Sequence, residues 1–270
     1  MLLTVGGALL SIYAAREESQ QYRALERLRV GEVVDAHFSA VSEHLQERAN
    51  LAKTVSRFFL PPPLRTPTPL GTFGMRAVGL ADDLATVGWL PEVNATDAGQ
   101  VLDSLRASGA PNPILRAGNG QPIDPATLDR PMFPVVDIAP AHNRFAVGID
   151  AGSFPDRLTA ILKARQSHEV TRTRPVQLLQ APDDRALLLY APIFDAEDRF
   201  IGVMGFGFPI DRLFRTALAD AKSPAGTALN IYSHGLDEPL FSLPSDNEMR
   251  RPTLFERTMD FGQGELKFVY

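Results

Sequence analysis

The chain is 270 residues long, 44% hydrophobic and 22% charged, which excludes a disordered protein and leaves room for one large or two small cores. A formal net charge of −5 excludes a general nucleic-acid binder, which needs a basic face to displace counterions from phosphates. There is no cysteine, so disulfides, thiolate catalysis and cysteine-based zinc sites are excluded together, while the redox compartment stays open.

Residues 1–15 are apolar and uncharged up to Arg16. At ~1.5 Å rise per residue they span about 22 Å, short of a ~30 Å hydrocarbon core. We read them as the outer end of a first transmembrane helix, with a signal-peptide core as the alternative. From Arg16 to Phe59 there is no proline, and Leu25, Val30, Val34, Phe38, Val41, Leu45, Ala52 and Val55 keep a near-heptad beat that Gly31 alone weakens. A stalk or dimerisation helix over 16–60 accounts for that length; a long helix lying along its own globular domain is the other reading. His37 and His44 stand seven apart, whereas helical metal pairs prefer four, so solvated or interface histidines are expected. Proline-rich 61–69 predicts a stiff extended connector.

A second helix is expected over 74–84, Trp89-Leu-Pro91 as a buried anchor with a break, a helix over 98–108 ended by Gly109, and a turn-laden excursion over 110–131. Two short apolar runs follow, Phe133–Pro140 and Phe145–Asp150, read as strands around a turn at Asn143-Arg144. Ser153 is the expected N-cap of a helix with Pro155 in its first turn and Leu158, Ile161, Leu162 and Arg165 at helical spacing. Strands at 176–180 and 186–194, joined by a turn at Pro182, Asp183 and Asp184, lead to a glycine-bearing strand at 201–208. A short helix over 211–221 and four strands near 228–232, 239–242, 258–261 and 265–270 form a second, smaller antiparallel sheet, with Gly262 and Gly264 turning its last hairpin.

Catalytic signatures are missing. The sequence carries no G-x-S-x-G, no phosphate-cradling G-x-x-x-x-G-K and no metalloprotease His-Glu pair, and no motif implies a cofactor or metal. Asp137, His142 and Asp150 lie close in sequence and would act as an acid–base group only if they met in a cleft. Gly202, Gly205 and Gly207 either allow close packing of a helix on the sheet or line a pocket floor.

The run Val135-Val-Asp-Ile-Ala-Pro…Asn143…Ala146-Val-Gly-Ile-Asp150, then Ala160–Arg165, Arg174–Gln180 and Leu189–Phe194, resembles the CHASE domain, with Val87-Gly-Trp-Leu-Pro-Glu-Val93 adding its Trp-x-Pro-x-Val segment. CHASE is the extracellular sensory domain of membrane-bound histidine kinases and nucleotide cyclases, plant cytokinin receptors among them. The resemblance implies an α+β fold: a long N-terminal stalk helix followed by two PAS-like α/β subdomains with tandem antiparallel sheets, a distal ligand-binding one over 61–208 and a membrane-proximal one over 209–270. In the cytokinin-binding members an Asp at the start of the helix contacts the adenine; here that position is Arg157, one residue after Asp156. A guanidinium has five donors and no acceptor, so it suits a carboxylate or phosphate rather than an adenine amino group. Its bland alternative is a surface salt bridge to Asp150 or Asp156. Leu179, Tyr190, Gly205 and Gly207 fall on strands that hold the ligand in the family, and Phe145 completes the candidate set.

The sequence therefore predicts a non-enzymatic, membrane-anchored sensor on the periplasmic side of a bacterial inner membrane. Its small-molecule ligand is an adenine-type or anionic metabolite, it forms a homodimer through the N-terminal helix, and it has no nucleic-acid partner. The other readings are a periplasmic protein-interaction module with a collapsed pocket, docking its partner on 110–131, and a soluble enzyme using Asp137 and His142.

Overall fold

A computed structural model describes residues 2–59, 61, 63–64, 70–108, 113–178, 181–219, 227–244 and 254–270. The proline-rich connector lies mostly outside them. Residues 2–58 form one unbroken helix, α1 (Leu2–Phe58), so the charged stretch after Ala15 continues the same helix. No helix among the described residues is long and apolar enough to cross a membrane.

The heptad beat is spent on the chain's own sheets. Val34, Val41, Leu45, Ala52 and Val55 are all buried in one continuous core with residues of both sheets. The reading of a helix lying along its own domain therefore holds for 30–59, while Tyr22, Leu25 and Leu28 stay exposed. Near its middle α1 touches the proximal sheet: Phe38 packs edge-on against Phe268, His37 lies beside Tyr270, and Asp35 pairs with Arg257 at 2.7 Å. At its end it meets the distal sheet, where Phe59 packs against Trp89.

The distal unit comprises α2 (Leu70–Val78), β1 (Thr86–Pro91), α3 (Ala98–Ala107), β2 (Asp137–Ala139), α4 (Pro155–Ser167), β3 (Thr171–Arg172), β4 (Val176–Leu178), β5 (Ala181–Phe194) and β6 (Phe200–Pro209). Its antiparallel sheet runs β2-β1-β6-β5-β3, with β4 also pairing β5. Both faces are covered, so residues alternate between two cores. Leu187, Leu189 and Ala191 of β5 face α1, whereas Ala186, Leu188 and Tyr190 face α4. The proximal unit follows α5 (Ile210–Leu218) with β7 (Leu229–Ser233), β8 (Phe241–Leu243), β9 (Glu256–Asp260) and β10 (Glu265–Val269) in the order β8-β7-β10-β9. Gly262 turns the last hairpin at φ +57°.

Several expectations are corrected. The second helix begins at Leu70 and ends at Val78, and Trp89 sits in a central strand rather than at a break. Of the two apolar runs before α4 only 137–139 pairs as a strand; 141–146 is a 3-10 helix, and Pro134 meets Asp150 in an isolated bridge. Residues 182–184 belong to β5, where the pairing register to β4 slips, and are not a turn. Ser153 does not cap α4: Phe154 holds that position, and the Ser153 hydroxyl instead donates to the Asp150 carbonyl.

His37 and His44 are not solvated. His44 Nε2 lies 2.6 Å from Asp83 Oδ2, and Arg48 Nε donates to both Asp83 oxygens at 2.8 and 3.0 Å. Asp83, in the turn between α2 and β1, is fully buried. Burial alone would raise its pKa, but the hydrogen bonds from His44 and Arg48 outweigh that and hold it below the ordinary carboxylate value. Stability contributed by a depressed carboxyl is complete above the unfolded pKa of about 3.9 and is lost as pH falls through the folded value. Asp83→Asn is expected to cost about 3 kcal/mol at neutral pH, because it leaves Arg48 facing a neutral amide. In chemical denaturation from pH 7 to pH 2, the variant should also show a shallower loss below about pH 4 than the parent.

Candidate functional site

On the α4 face of the distal sheet, β1, β6 and β5 form a floor with few side chains. Gly88 pairs with Gly205, which pairs with Tyr190; one row along, Thr86 and Leu188 flank Gly207. The Tyr190 ring lies over Gly205, where an added Cβ would come within 3.2 Å of Cε1. At Gly207 a Cβ would meet Thr86 Cγ2 at 2.5 Å. Gly202 is different: its φ of +147° and the Leu90 carbonyl 2.4 Å from a would-be Cβ make it a close-packing glycine of the strand pair.

The roof is α4 and the loop before it, and Asp150 fixes that loop. Its buried carboxylate accepts from Phe133 N at 2.7 Å, Gly152 N at 2.9 Å and Arg130 at 2.8 Å. Asp150's cation is therefore Arg130 rather than Arg157. Ser153 Oγ accepts from Gly118 N at 2.7 Å, tying the loop to the 113–122 excursion. Pro155 then opens α4 and Arg157 follows within its first turn.

Between floor and roof is a cavity of about 70 Å³, lined by Arg157, Tyr190, Gly88, Gly205, Gly207 and Val135 among others. Arg157 stacks its guanidinium 4.3 Å from the Phe154 ring centroid, and its buried Nε has no hydrogen-bond partner. Burial raises the pKa of Tyr190 and the Arg157 charge opposes that rise, so at neutral pH the phenol is a neutral hydroxyl. The cavity thus offers a guanidinium and a phenol over an apolar glycine floor. Its volume is roughly two waters' worth, against ~300–1,000 Å³ for small-molecule sites. A cleft of about 560 Å³ lies on the opposite face of the sheet at the end of α1, and it holds none of the sequence-predicted residues.

The structure brings Arg157, Tyr190, Gly205 and Gly207 together around one cavity. Asp156 is exposed in the first turn of α4, and Phe145 is exposed on the 3-10 segment, where its carbonyl accepts from Arg116; neither lines the cavity. Leu179 lies outside the described residues. Sequence reasoning missed Gly88, whose place between Val87 and Trp89 of an apolar strand was the available signal. Asp137, His142 and Asp150 do not form a catalytic group. Asp137 accepts from Leu70 N and Ile138 N, His142 is exposed, and Asp150 is saturated by its loop.

Residues 78–241 match the CHASE domain model, more than half of the chain and the whole sheet that carries this cavity. The chain belongs to the CHASE domain family. CHASE domains are extracellular sensory domains and not catalysts. Among solved structures the chain is similar to an extracellular ligand-binding receptor from Desulfohalobium retbaense, at TM-score 0.51 and 10% identity over 85% of this chain. It spans 39% of that receptor's length, and the likeness is one of fold. Further similar structures are a methyl-accepting chemotaxis protein X (TM-score 0.48, 13% identity, 88% and 93% of the two chains) and the ligand-binding domain of the Pseudomonas aeruginosa amino-acid chemoreceptor PctC in complex with GABA (0.43, 14%, 89% and 96%). No curated protein matches the chain.

An arginine whose buried Nε is unpartnered in the CHASE cavity is a cost to the fold. Arg157→Met keeps the aliphatic stem and removes that cost, so it should leave the denaturation midpoint unchanged or raise stability by up to about 1 kcal/mol. Gly207→Ala should lower it by about 1–3 kcal/mol through the clash with Thr86.

Proposed function

We propose that this CHASE domain is the periplasmic ligand-sensing module of a bacterial membrane receptor, with a small anionic or adenine-type metabolite bound between α4 and the glycine floor. The observation that carries the reading is Arg157, whose buried and unpartnered Nε faces a cavity containing a phenol. A carboxylate or phosphate accepting from Nε–H and a neighbouring Nη–H would satisfy that donor in a bidentate pair. Entry requires α4 and its loop to move outward, because a cavity of about 70 Å³ is smaller than small-molecule sites.

Such a movement has a route to the rest of the domain. Thr171 Oγ1 donates to the Ala160 carbonyl of α4 at 2.7 Å. The next residue, Arg172, donates to the carbonyls of Phe261 and Glu265 and to Ser233 Oγ in the proximal sheet. Gly262 and Gly264 leave the space its side chain occupies. In this reading residues 61–208 are the distal ligand-binding unit, 209–270 the membrane-proximal unit, 16–60 the stalk, and 1–15 the outer end of a membrane helix. The stripe Tyr22, Leu25 and Leu28 supports a homodimer through α1. The cytoplasmic output is a histidine kinase or nucleotide cyclase. A differential affinity of ~1–3 kcal/mol between two states is enough to switch it.

The 70 Å³ cavity also favours a second reading, a collapsed pocket on a protein-interaction module with its partner on the 110–131 excursion. A thermal-shift screen of the chain against carboxylates, phosphorylated metabolites and N6-substituted adenines separates the two. A ligand at a hundred times its Kd should add ~2.7 kcal/mol, a rise of several degrees, and the rise should vanish in Arg157→Met. A shift that survives this substitution removes Arg157 as the anchor, and silence across the panel favours the protein partner.

A further inference from the structure

The larger cleft, about 560 Å³, opens on the face of the distal sheet away from α4, between the last turns of α1 and the end of β5. Its inner surface is apolar: Phe59, Val170 and Ile193 are buried there and Ile201 is half-buried. One wall is a flat aromatic surface, His168 stacked on Phe194 with centroids 4.2 Å apart and planes at 8°. His168 caps α4 in the left-handed conformation, φ 58°, where glycine would be least strained. A histidine at that position puts its ring on Phe194, at the cleft.

The charge around the rim is uneven. Lys53 and Arg57, four residues apart on α1, both line the cleft. Lys53 is neutralised by Glu169 at 2.7 Å, and the one lining carboxylate, Asp195, is held by Arg199 at 2.7 Å. Arg57 is exposed and forms no ion pair with any described residue. The C-terminal end of α1 adds partial negative charge, which opposes an anion there and which Arg57 faces without a carboxylate partner among the described residues. What is left is a cleft with an apolar inner surface, a flat aromatic wall and one guanidinium at its edge that has no carboxylate partner among the described residues.

From this geometry we infer that the cleft at the end of α1 is a second ligand site, separate from the α4 cavity, for a flat aromatic acid whose ring lies along the His168–Phe194 wall and whose carboxylate meets Arg57. Arg57 and the stacked pair act as binding residues, and the bound acid braces the last turn of α1 against β5. The site does not depend on the α4 cavity binding anything.

The probe is 2-naphthoate, titrated calorimetrically into the 270-residue chain, with neutral 2-naphthamide beside it. One saturable site is expected. Its Kd should rise at least tenfold in Arg57→Glu and in Ala196→Trp, which places an indole at the exposed mouth of the cleft, and should be unchanged in Arg157→Met. The amide should bind at least tenfold more weakly than the acid. Both cleft substitutions are at exposed positions, so their melting temperatures should match the parent's. Overturning results are no saturable heat at millimolar probe, equal affinity in Arg57→Glu and Ala196→Trp, equal affinity for acid and amide, or binding lost in Arg157→Met. The last places the probe in the α4 cavity and leaves the sensing reading intact, whereas a thermal-shift screen that fails for the α4 cavity says nothing against this cleft.

Discussion

A single seam holds this domain together: the face of α1 that lies along both sheets. Val34, Val41, Leu45, Ala52 and Val55 are buried over nearly six turns, and full burial of each valine or leucine is worth roughly 1.5–3 kcal/mol. Apolar contact alone does not fix a helix's axial position, because a slide by one turn replaces each aliphatic side chain with a similar one. Asp83 supplies the missing register. Its carboxylate is fully buried and meets His44 and Arg48, one turn apart on α1, in directional hydrogen bonds. Asp35 with Arg257 marks the register again at the proximal sheet. The helix is thus fixed to both units, and a displacement of either is felt along its length.

The two faces of the distal sheet divide the labour that follows from this. The α1 face is filled by large side chains, Trp89, Phe206 and Phe208 among them, and is close-packed. On the α4 face the same strands carry Gly88, Gly205 and Gly207, so the sheet gives up packing there and a cavity results. A strand can serve both needs because its side chains alternate. Arg157 and Tyr190 bring polar atoms into a region where an aliphatic pair would be more stable. The unpartnered Arg157 Nε leaves a buried donor unsatisfied there, at a cost to stability.

The parts of the fold visible in the sequence are those set by local pattern. The α1 beat, α4 behind Pro155, the apolar runs of β5 and β6, and the last hairpin all follow from local pattern and turn chemistry. The beat does not say what it packs against, and a heptad stripe reads alike for a second helix and for a sheet. The segment 133–150 misled for a related reason. Its apolar residues suggest strands, yet Asp150, Arg130 and single bridges hold it as a roof, and that requires contacts seventeen and twenty residues apart. The Asp83 cluster spans 35 and 39 residues and has no sequence signature. Arg157 stood out only through the family resemblance, since by periodicity it is one more surface residue of α4. Gly88 needed the register of β1 on β6 to show its place in the floor.

The claim on which the rest stands is that α1 is locked to the body of the domain through Asp83, and backbone amide exchange measures it most directly. Amides of residues 41–52 should exchange only through global unfolding in the parent chain, at a free energy equal to that from denaturation. In Asp83→Asn they should exchange through a cheaper local opening, while β5 and β6 still report global unfolding. Fast exchange across 41–52 in the parent, or protection there that falls only in step with β5 and β6 in the variant, would contradict the account.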